Sequence, residues 1–117
     1  LASGSMVFTS LQAAGELEAS GISASVVDIH TIKPIDKSIA AIMAKHRLTV
    51  TVEEHSIVGG LGDAVAELAM KEGLPIRIMK IGAEGSYPHG AGYTTLLYRS
   101  GLTKESITQR IKAAIEK

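Results

Sequence analysis

Short apolar runs alternate with amphipathic stretches along the whole chain, and this alternation sets the expected architecture. Residues 1–2, 24–30, 48–52 and 76–81 carry the β-branched content or two-residue alternation typical of strands. Between these runs, apolar residues recur at the spacing of one helix face. The predicted inner helix faces are Val7, Leu11, Ala14 and Leu17; Ile39, Ile42 and Met43; Leu61, Val65 and Leu68; and Ile107, Ile111, Ala114 and Ile115.

Strands that alternate with helices predict a parallel sheet covered by helices, because a parallel connection must cross over the sheet. We therefore predict the α/β class, with three layers (α/β/α) and a mainly parallel, open, doubly wound sheet. The predicted strand order is 2-1-3-4. No repeat, linker or change of composition divides the sequence, so residues 1–117 are expected to form a single domain.

Turn and capping residues punctuate this pattern. Gly21 and Gly73 are typical helix stops, and Pro75 prevents continuation beyond the second. Asp36 and Thr103 precede predicted helices, where a side-chain oxygen can accept from the free N–H groups of the first turn. We expect both to act as N-terminal caps.

Composition narrows the functional classes. Twelve Lys and Arg balance twelve Asp and Glu, so the charge gives no sign of nucleic-acid or anionic-membrane binding. The chain has no Cys, which excludes disulfides and thiolate catalysis and is compatible with the cytoplasmic location that we expect. No apolar run is long enough to span a bilayer. Because the sequence begins at Leu1 inside an apolar stretch, we hypothesise that it belongs to a longer chain.

The turn Gly59-Gly60-Leu61-Gly62 opens the third predicted helix. Such a turn exposes backbone N–H groups that can bind phosphate, or it serves the sharp turn and close helix packing. We favour the structural explanation, because the turn lacks the Lys-Ser or Lys-Thr of a phosphate-binding loop and does not follow the first strand.

Glu53, Glu54 and His55 precede this turn, at the carboxyl end of the third strand. In a 2-1-3-4 sheet this end lies at the point where the strand order reverses, where ligands usually bind. The three residues could be acid–base groups or metal ligands, although neighbours on a strand point to opposite faces. Contact with a partner domain is the interpretation that we favour.

Two further segments contain candidate residues. Asp28 ends the second strand, but Ser3-Gly4-Ser5 stands where a phosphoacceptor domain keeps its acidic pair. Tyr87 and His89 lie in a glycine-flanked loop, and loops of this kind often contact a ligand or a partner. The sequence has no nucleophile elbow and no His pair with zinc spacing, so it offers no self-sufficient catalytic constellation.

Several segments, in order, resemble the C-terminal domain of transketolases and related thiamine-diphosphate enzymes. They are residues 2–5, the Thr-Ile-Lys-Pro-Ile-Asp segment at 31–36, the Val-Glu-Glu-His stretch with its glycines at 52–62, and residues 90–97 and 101–107. The segment Ile-Lys-Pro-Ile-Asp and the His that follows Glu-Glu are most similar to the corresponding segments of transketolases, especially those split into two chains. Deoxyxylulose-phosphate synthases and the β-subunits of ketoacid dehydrogenases share the domain and remain alternatives.

The resemblance implies a domain without catalytic, cofactor-binding or metal-binding residues of its own. In the parent enzyme, other domains hold thiamine diphosphate and Mg, and a two-carbon ketol unit moves between sugar phosphates, as in the pentose phosphate pathway. The implied roles here are interdomain packing, assembly of a homodimer with other transketolase domains or subunits, and regulation, with no nucleic-acid or membrane partner. The residues expected to face a partner or ligand are Glu53, Glu54, His55, Gly59, Gly60, Gly62, Tyr87 and His89.

The start of this chain differs from the start of the family domain. The family domain begins with an extra antiparallel edge strand and a fuller first strand, both of which precede Leu1. We therefore hypothesise a bare apolar surface through which the isolated chain self-associates.

The alternative function from another class is that of a stand-alone module that binds a small ligand or nucleotide at the glycine turn.

Overall fold

A computed structural model describes residues 1–83, Gly92, Leu97 and 101–116. Within these residues, the helices and the last two predicted strands form in the expected order. Helix α1 spans Met6–Ala19, α2 Ile39–Met43, strand β1 Leu48–Ser56, α3 Leu61–Lys71, strand β2 Arg77–Ala83 and α4 Lys104–Ile115.

The sheet has the predicted strand order. β1 and β2 are parallel, with Leu48 opposite Arg77 at one end of the register. On the other edge of β1, Ala2 forms parallel bridges with both Val52 and Asp28. The segment around Asp28, the start of the chain, β1 and β2 therefore lie side by side as 2-1-3-4, and the prediction is confirmed.

A separate apolar core covers each face of the sheet. One core joins the sheet to α2 and α3, and the other joins it to α1 and α4. The first contains Ile29, Ile39, Ala40, Met43, Leu61, Val65, Leu68 and Ala69. The second contains Ala2, Met6, Ala13, Val52, Ile81, Leu102 and Ile107. The two cores confirm the three-layer α/β/α arrangement.

Some details differ from the sequence prediction. Residues 24–30 form no regular strand, and their one bridge in the described structure joins Asp28 to Ala2. Helix α1 buries Met6, Ala13 and Leu17, whereas Leu11 is 53% exposed. The buried face follows the contacts of α1 with the sheet and α4, which the apolar spacing within the helix does not specify.

The predicted caps both make hydrogen bonds. Thr103 Oγ1 accepts from the Ser106 N–H at 3.2 Å, so Thr103 is the N-cap of α4. Asp36 Oδ1 accepts from the Ser38 N–H at 2.9 Å within the turn that precedes α2, whose N-cap position is Ser38. Asp36 therefore stabilises the turn before α2 but lies two residues before the N-cap position that was predicted for it.

Helix α4 is held at its carboxyl end by side chains from the amino end of the sheet. Arg77 Nη2 donates to the Ala114 carbonyl at 2.9 Å, and Arg47 Nη2 donates to the Ile115 carbonyl at 3.2 Å. Cations at this end of a helix also interact favourably with its dipole. Thr108 Oγ1 donates to Glu16 Oε2 at 2.9 Å and joins α4 to α1.

Replacing the cap of α4 should lower stability by a small, defined amount. Thr103→Ala removes the acceptor for the Ser106 N–H, and we expect the free energy of unfolding to fall by about 1 kcal/mol in urea denaturation. Thr103→Ser keeps the hydroxyl and should change it by less than half as much. Equal losses in the two variants would show that the methyl group, not the cap, is responsible.

Candidate functional site at the carboxyl end of the sheet

Glu53 is the central residue at the carboxyl end of β1. Its side chain is only 2% exposed. Oε1 accepts from the Leu61 N–H at 3.0 Å, and Oε2 accepts from the Gly62 N–H at 2.9 Å. The carboxylate therefore satisfies two of the free N–H groups of α3 and places a negative charge at the positive end of its dipole.

Alternation along β1 explains why Glu53 reaches α3. Thr51 lies two residues earlier and therefore points to the same face of the sheet. Its Oγ1 lies close to Gly62, in the first turn of α3. Glu54, the next residue along, points to the other face and is partly exposed. The two acids are not a pair, as the strand geometry predicted.

Each glycine of the turn has a structural reason. A Cβ on Gly60 would lie 2.0 Å from Glu53 Oε1. A Cβ on Gly62 would lie 2.4 Å from Lys80 Cδ and 2.9 Å from Thr51 Oγ1. Gly59 has φ of +76°, a conformation that side chains disfavour. The contacts support the structural explanation of the turn, since the anion at the start of α3 is a carboxylate of the chain itself.

A second charged group surrounds the same turn. Lys80 Nζ donates to Asp63 Oδ1 at 2.6 Å and to the Ile57 carbonyl at 3.3 Å. Asp63 Oδ2 accepts from the Gly59 N–H at 2.6 Å. The hydrogen bond from Lys80, followed by that from Gly59, lowers the pKa of Asp63 from its usual value. Lys80 thus ties β2 to both ends of the glycine turn.

Glu54 connects the end of β1 with the start of α1. The Ser5 hydroxyl donates to Glu54 Oε2, across the point where the strand order reverses. His55 lies in β1, but its side chain is not among those described. Tyr87 and His89 lie outside the described residues. The described part of the predicted partner-facing set is therefore centred on Glu53, Glu54 and the three glycines.

The same set separates into buried and accessible members. Glu53 and Gly62 are buried within the chain, whereas Gly59 is exposed and Glu54 and Gly60 are partly exposed. In residues 1–83 and 101–116, no group of three or more Asp, Glu or His is placed to hold a metal ion. The arrangement joins a strand to a helix, and its accessible members can contact a partner.

Sequence reasoning did not identify Asp63 and Lys80. Acidic residues are favoured in the first turn of a helix, which is a signal for Asp63. Lys80 lies opposite Thr51 in the register, so its side chain points to the same face as Glu53. The placement of Lys80 beside Glu53 can be recognised only when the register of β1 and β2 is known.

Comparisons with known proteins agree with this architecture. The family model for the C-terminal domain of transketolase matches residues 1–107. A chain named as a transketolase C-terminal section from Methanocaldococcus jannaschii is 41% identical over 117 residues, which are all of this chain and 36% of that protein. A 1-deoxy-D-xylulose-5-phosphate synthase from Synechococcus is 39% identical over 99% of this chain and 18% of that enzyme.

A solved structure extends the likeness to three dimensions. The structure named "Split gene transketolase, inactive beta4 tetramer" is 39% identical, has a TM-score of 0.89, and matches over 98% of this chain and 38% of that chain. The chain therefore belongs to the transketolase C-terminal domain family. It spans about a third or less of the length of these relatives. No helix within the described ranges is both long and apolar enough to cross a bilayer.

A side chain at position 60 should disrupt the Glu53 contacts. In Gly60→Ala the new Cβ would meet Glu53 Oε1 at 2.0 Å and force the carboxylate away from α3. We expect urea denaturation to show a loss of about 3 kcal/mol, the scale of charge-assisted hydrogen bonds. Gly15→Ala is the matched control, because its Cβ meets nothing within 4 Å in α1 and should raise stability by about 0.5–1 kcal/mol.

A double-mutant cycle identifies the cause of that loss. In a Glu53→Ala background the obstructing oxygen is gone, so Gly60→Ala should cost at least about 1 kcal/mol less than in the parent chain. An unchanged cost in that background would assign the loss to the backbone of the turn instead of to Glu53.

The Asp63–Lys80 pair should contribute to acid sensitivity. Because the pKa of Asp63 is lowered in the folded chain, its ionised form stabilises the fold above the unfolded pKa. This contribution is lost as the pH falls through the lower, folded pKa, from about pH 4 downward. Asp63→Asn should therefore be less stable than the parent at pH 6, and the difference should shrink as the pH falls below about 4. A difference that stays constant from pH 6 to below pH 4 would contradict this assignment.

Proposed function

We propose that this chain serves as the non-catalytic C-terminal domain of a transketolase that transfers a two-carbon ketol unit between sugar phosphates. The observation that carries the proposal is the buried Glu53 carboxylate, which takes the two N–H groups at the start of α3. The domain then contributes packing and assembly, while the chemistry belongs to the rest of a longer enzyme.

The described residues do not fit thiamine diphosphate with its Mg ion. A diphosphate needs free N–H donors or cations, and the start of α3 already holds the Glu53 carboxylate. Asp63 adds a second negative charge there, and Lys80 is paired with it. A diphosphate would therefore have to displace one carboxylate and approach another. We propose that other parts of the parent enzyme bind the cofactor.

Exposed apolar side chains at the same end of the sheet support a contact role. Val58, in the turn after β1, is 78% exposed, and Phe8, in the first turn of α1, is 68% exposed. The Ser5–Glu54 hydrogen bond joins the two elements that carry them. An accessible surface that combines apolar and polar groups is typical of contacts between domains of one enzyme. We propose that this surface packs against the cofactor-binding domains.

The relatives supply support for assembly. The similar split transketolase is named as an inactive tetramer of β chains, so a chain of that kind assembles with its own copies. We propose a homodimer of the complete enzyme, in the cytoplasm. A deoxyxylulose-phosphate synthase is the second candidate parent, because its 39% identity is close to the 41% of the transketolase section.

Calorimetry and a surface variant test this proposal together. The 117-residue chain should show no saturable heat with thiamine diphosphate and Mg²⁺, and no ketol transfer from a ketose phosphate to an aldose phosphate. In the full-length enzyme, Val58→Asp should weaken association of its parts or activity at least about tenfold, because a charge would enter an apolar contact. Met70→Asp is the matched control, since Met70 is 75% exposed at the far end of α3.

Each arm has an outcome that would overturn the proposal. Micromolar or tighter binding of thiamine diphosphate by the 117-residue chain would place cofactor binding in this domain. Equal effects of Val58→Asp and Met70→Asp would show that the carboxyl end of the sheet is not the contact surface.

A further inference from the structure

The turn after β1 holds an exposed apolar residue, Val58, between two restrained peptide groups. The Ile57 carbonyl, in the peptide group before Val58, accepts from Lys80 Nζ at 3.3 Å. The Gly59 N–H, in the peptide group after Val58, donates to Asp63 Oδ2 at 2.6 Å. Lys80 Nζ also donates to Asp63 Oδ1 at 2.6 Å. One ion pair therefore restrains the backbone on both sides of Val58.

The two members of this ion pair are anchored in different elements. Asp63 lies in the first turn of α3, and Lys80 lies in β2 opposite Thr51 of β1. The stem of Lys80 crosses the helix start, where a Cβ on Gly62 would lie 2.4 Å from Lys80 Cδ. The Lys80 and Asp63 side chains are 32% and 43% exposed, so solvent screens this pair less than a fully exposed one. The pair thus joins a helix and a strand to the turn.

The start of α3 is already capped without this ion pair. Glu53 accepts from the Leu61 and Gly62 N–H groups of the first turn. Asp63 Oδ2 bonds instead to Gly59, which precedes the helix. The contact of Asp63 therefore restrains the turn rather than the helix.

Packing within the chain contributes little to the position of Val58. Most of its surface lies in solvent, since the residue is 78% exposed. Its direction therefore depends on the backbone, which turns at once through Gly59 with φ of +76°. A Val side chain also has few rotamers, because its Cβ is branched. An apolar group that is restrained in this way loses little conformational entropy when a partner buries it.

We propose that Asp63 and Lys80 are positioning residues, which hold Val58 as a preformed anchor for an apolar pocket on the cofactor-binding domains. This inference rests on the proposed function, because it concerns the same contact surface. It adds the residues that give this surface its shape and the chemistry of the partner. Glu53, Glu54 and Asp63 outnumber Lys80 at this end of the sheet, so a rim of N–H donors or cations around the apolar pocket would complement it.

Backbone relaxation in the 117-residue chain tests the restraint directly. Lys80→Met keeps an apolar stem over Gly62 and removes both hydrogen bonds of the ammonium group. We expect the ¹⁵N order parameter of Val58 to fall from the rigid range, about 0.85, to below about 0.6. The order parameters of Leu61 and Gly62 should not change, because their N–H groups are held by a different carboxylate.

Association of the parts of the full-length enzyme tests the anchor. Val58→Ala removes two methyl groups and should raise the dissociation constant about tenfold. Lys80→Met should raise it about fivefold, the order of the cost of fixing the backbone of one residue on binding. In the Val58→Ala background, Lys80→Met should raise it less than about twofold, because the anchor on which it acts is gone. A role in stability alone would give the same factor in both backgrounds.

Two further variants control for charge and for folding. Lys71→Met breaks an exposed ion pair with Glu67 in α3, where Lys71 Nζ and Glu67 Oε1 are 3.1 Å apart. It should leave both the dissociation constant and the order parameter of Val58 unchanged. Asp63→Asn breaks the same ion pair as Lys80→Met from the other side and should reproduce its effects, including where the Lys80 variant folds poorly.

The results separate this inference from the proposed function. A rigid Val58 in both Lys80→Met and Asp63→Asn would overturn the positioning role alone. So would an equal effect of Lys80→Met with Val and with Ala at position 58. An unchanged dissociation constant in Val58→Ala would overturn the contact surface itself, and the anchor with it.

Discussion

The bond between the Glu53 carboxylate and the first turn of α3 is the constraint on which the carboxyl end of this domain depends. It joins the central part of the sheet to a helix through two charge-assisted hydrogen bonds in a buried position. Because β1 and α3 are fixed relative to each other there, Leu61 and Val65 are placed in the core on that face of the sheet. Burial also makes the contact strict, since a buried carboxylate without these donors would be strongly unfavourable.

The charges around this bond follow from it. Two carboxylates, Glu53 and Asp63, lie close to the positive end of one helix, and Lys80 reaches across Gly62 to offset part of their charge. The glycine-rich turn resembles a phosphate-binding turn in letters, but its electrostatics differ because the protein supplies the anion. A glycine pattern therefore identifies a ligand site only when the side chain that faces the turn is known.

Much of the architecture could be predicted from local signals. The strand order came from the alternation of strands and helices, and the cap at Thr103 came from one side chain near its own helix. The inner face of α1 was predicted correctly at Leu17 and wrongly at Leu11, because Met6 and Ala13 are selected by contacts with α4 and the sheet. Residues 24–30 have the composition of a strand but form a bridge only at Asp28.

The position of Glu53 and Glu54 at the carboxyl end of β1 was predictable, whereas their contacts were less so. Strand alternation predicted that Glu53 and Glu54 point to opposite faces of the sheet, but it could not show which of the two is buried. That depends on which face α3 covers, and hence on the crossover from β1. Lys80, which bonds Asp63, and Glu54, which bonds Ser5, lie on segments distant from their partners, and no spacing within the sequence encodes these contacts.

The absence of a side chain at Gly60 depends on a second residue. Its lack of a side chain is required by an oxygen of residue 53, seven positions earlier, rather than by its own backbone angles. The requirement at position 60 therefore lasts only while position 53 carries a long acid. The two positions therefore form one steric unit, in which a shorter residue at 53 would remove the restriction at 60 and a side chain at 60 would displace the Glu53 carboxylate. The glycine that marks the motif is thus a property of a pair.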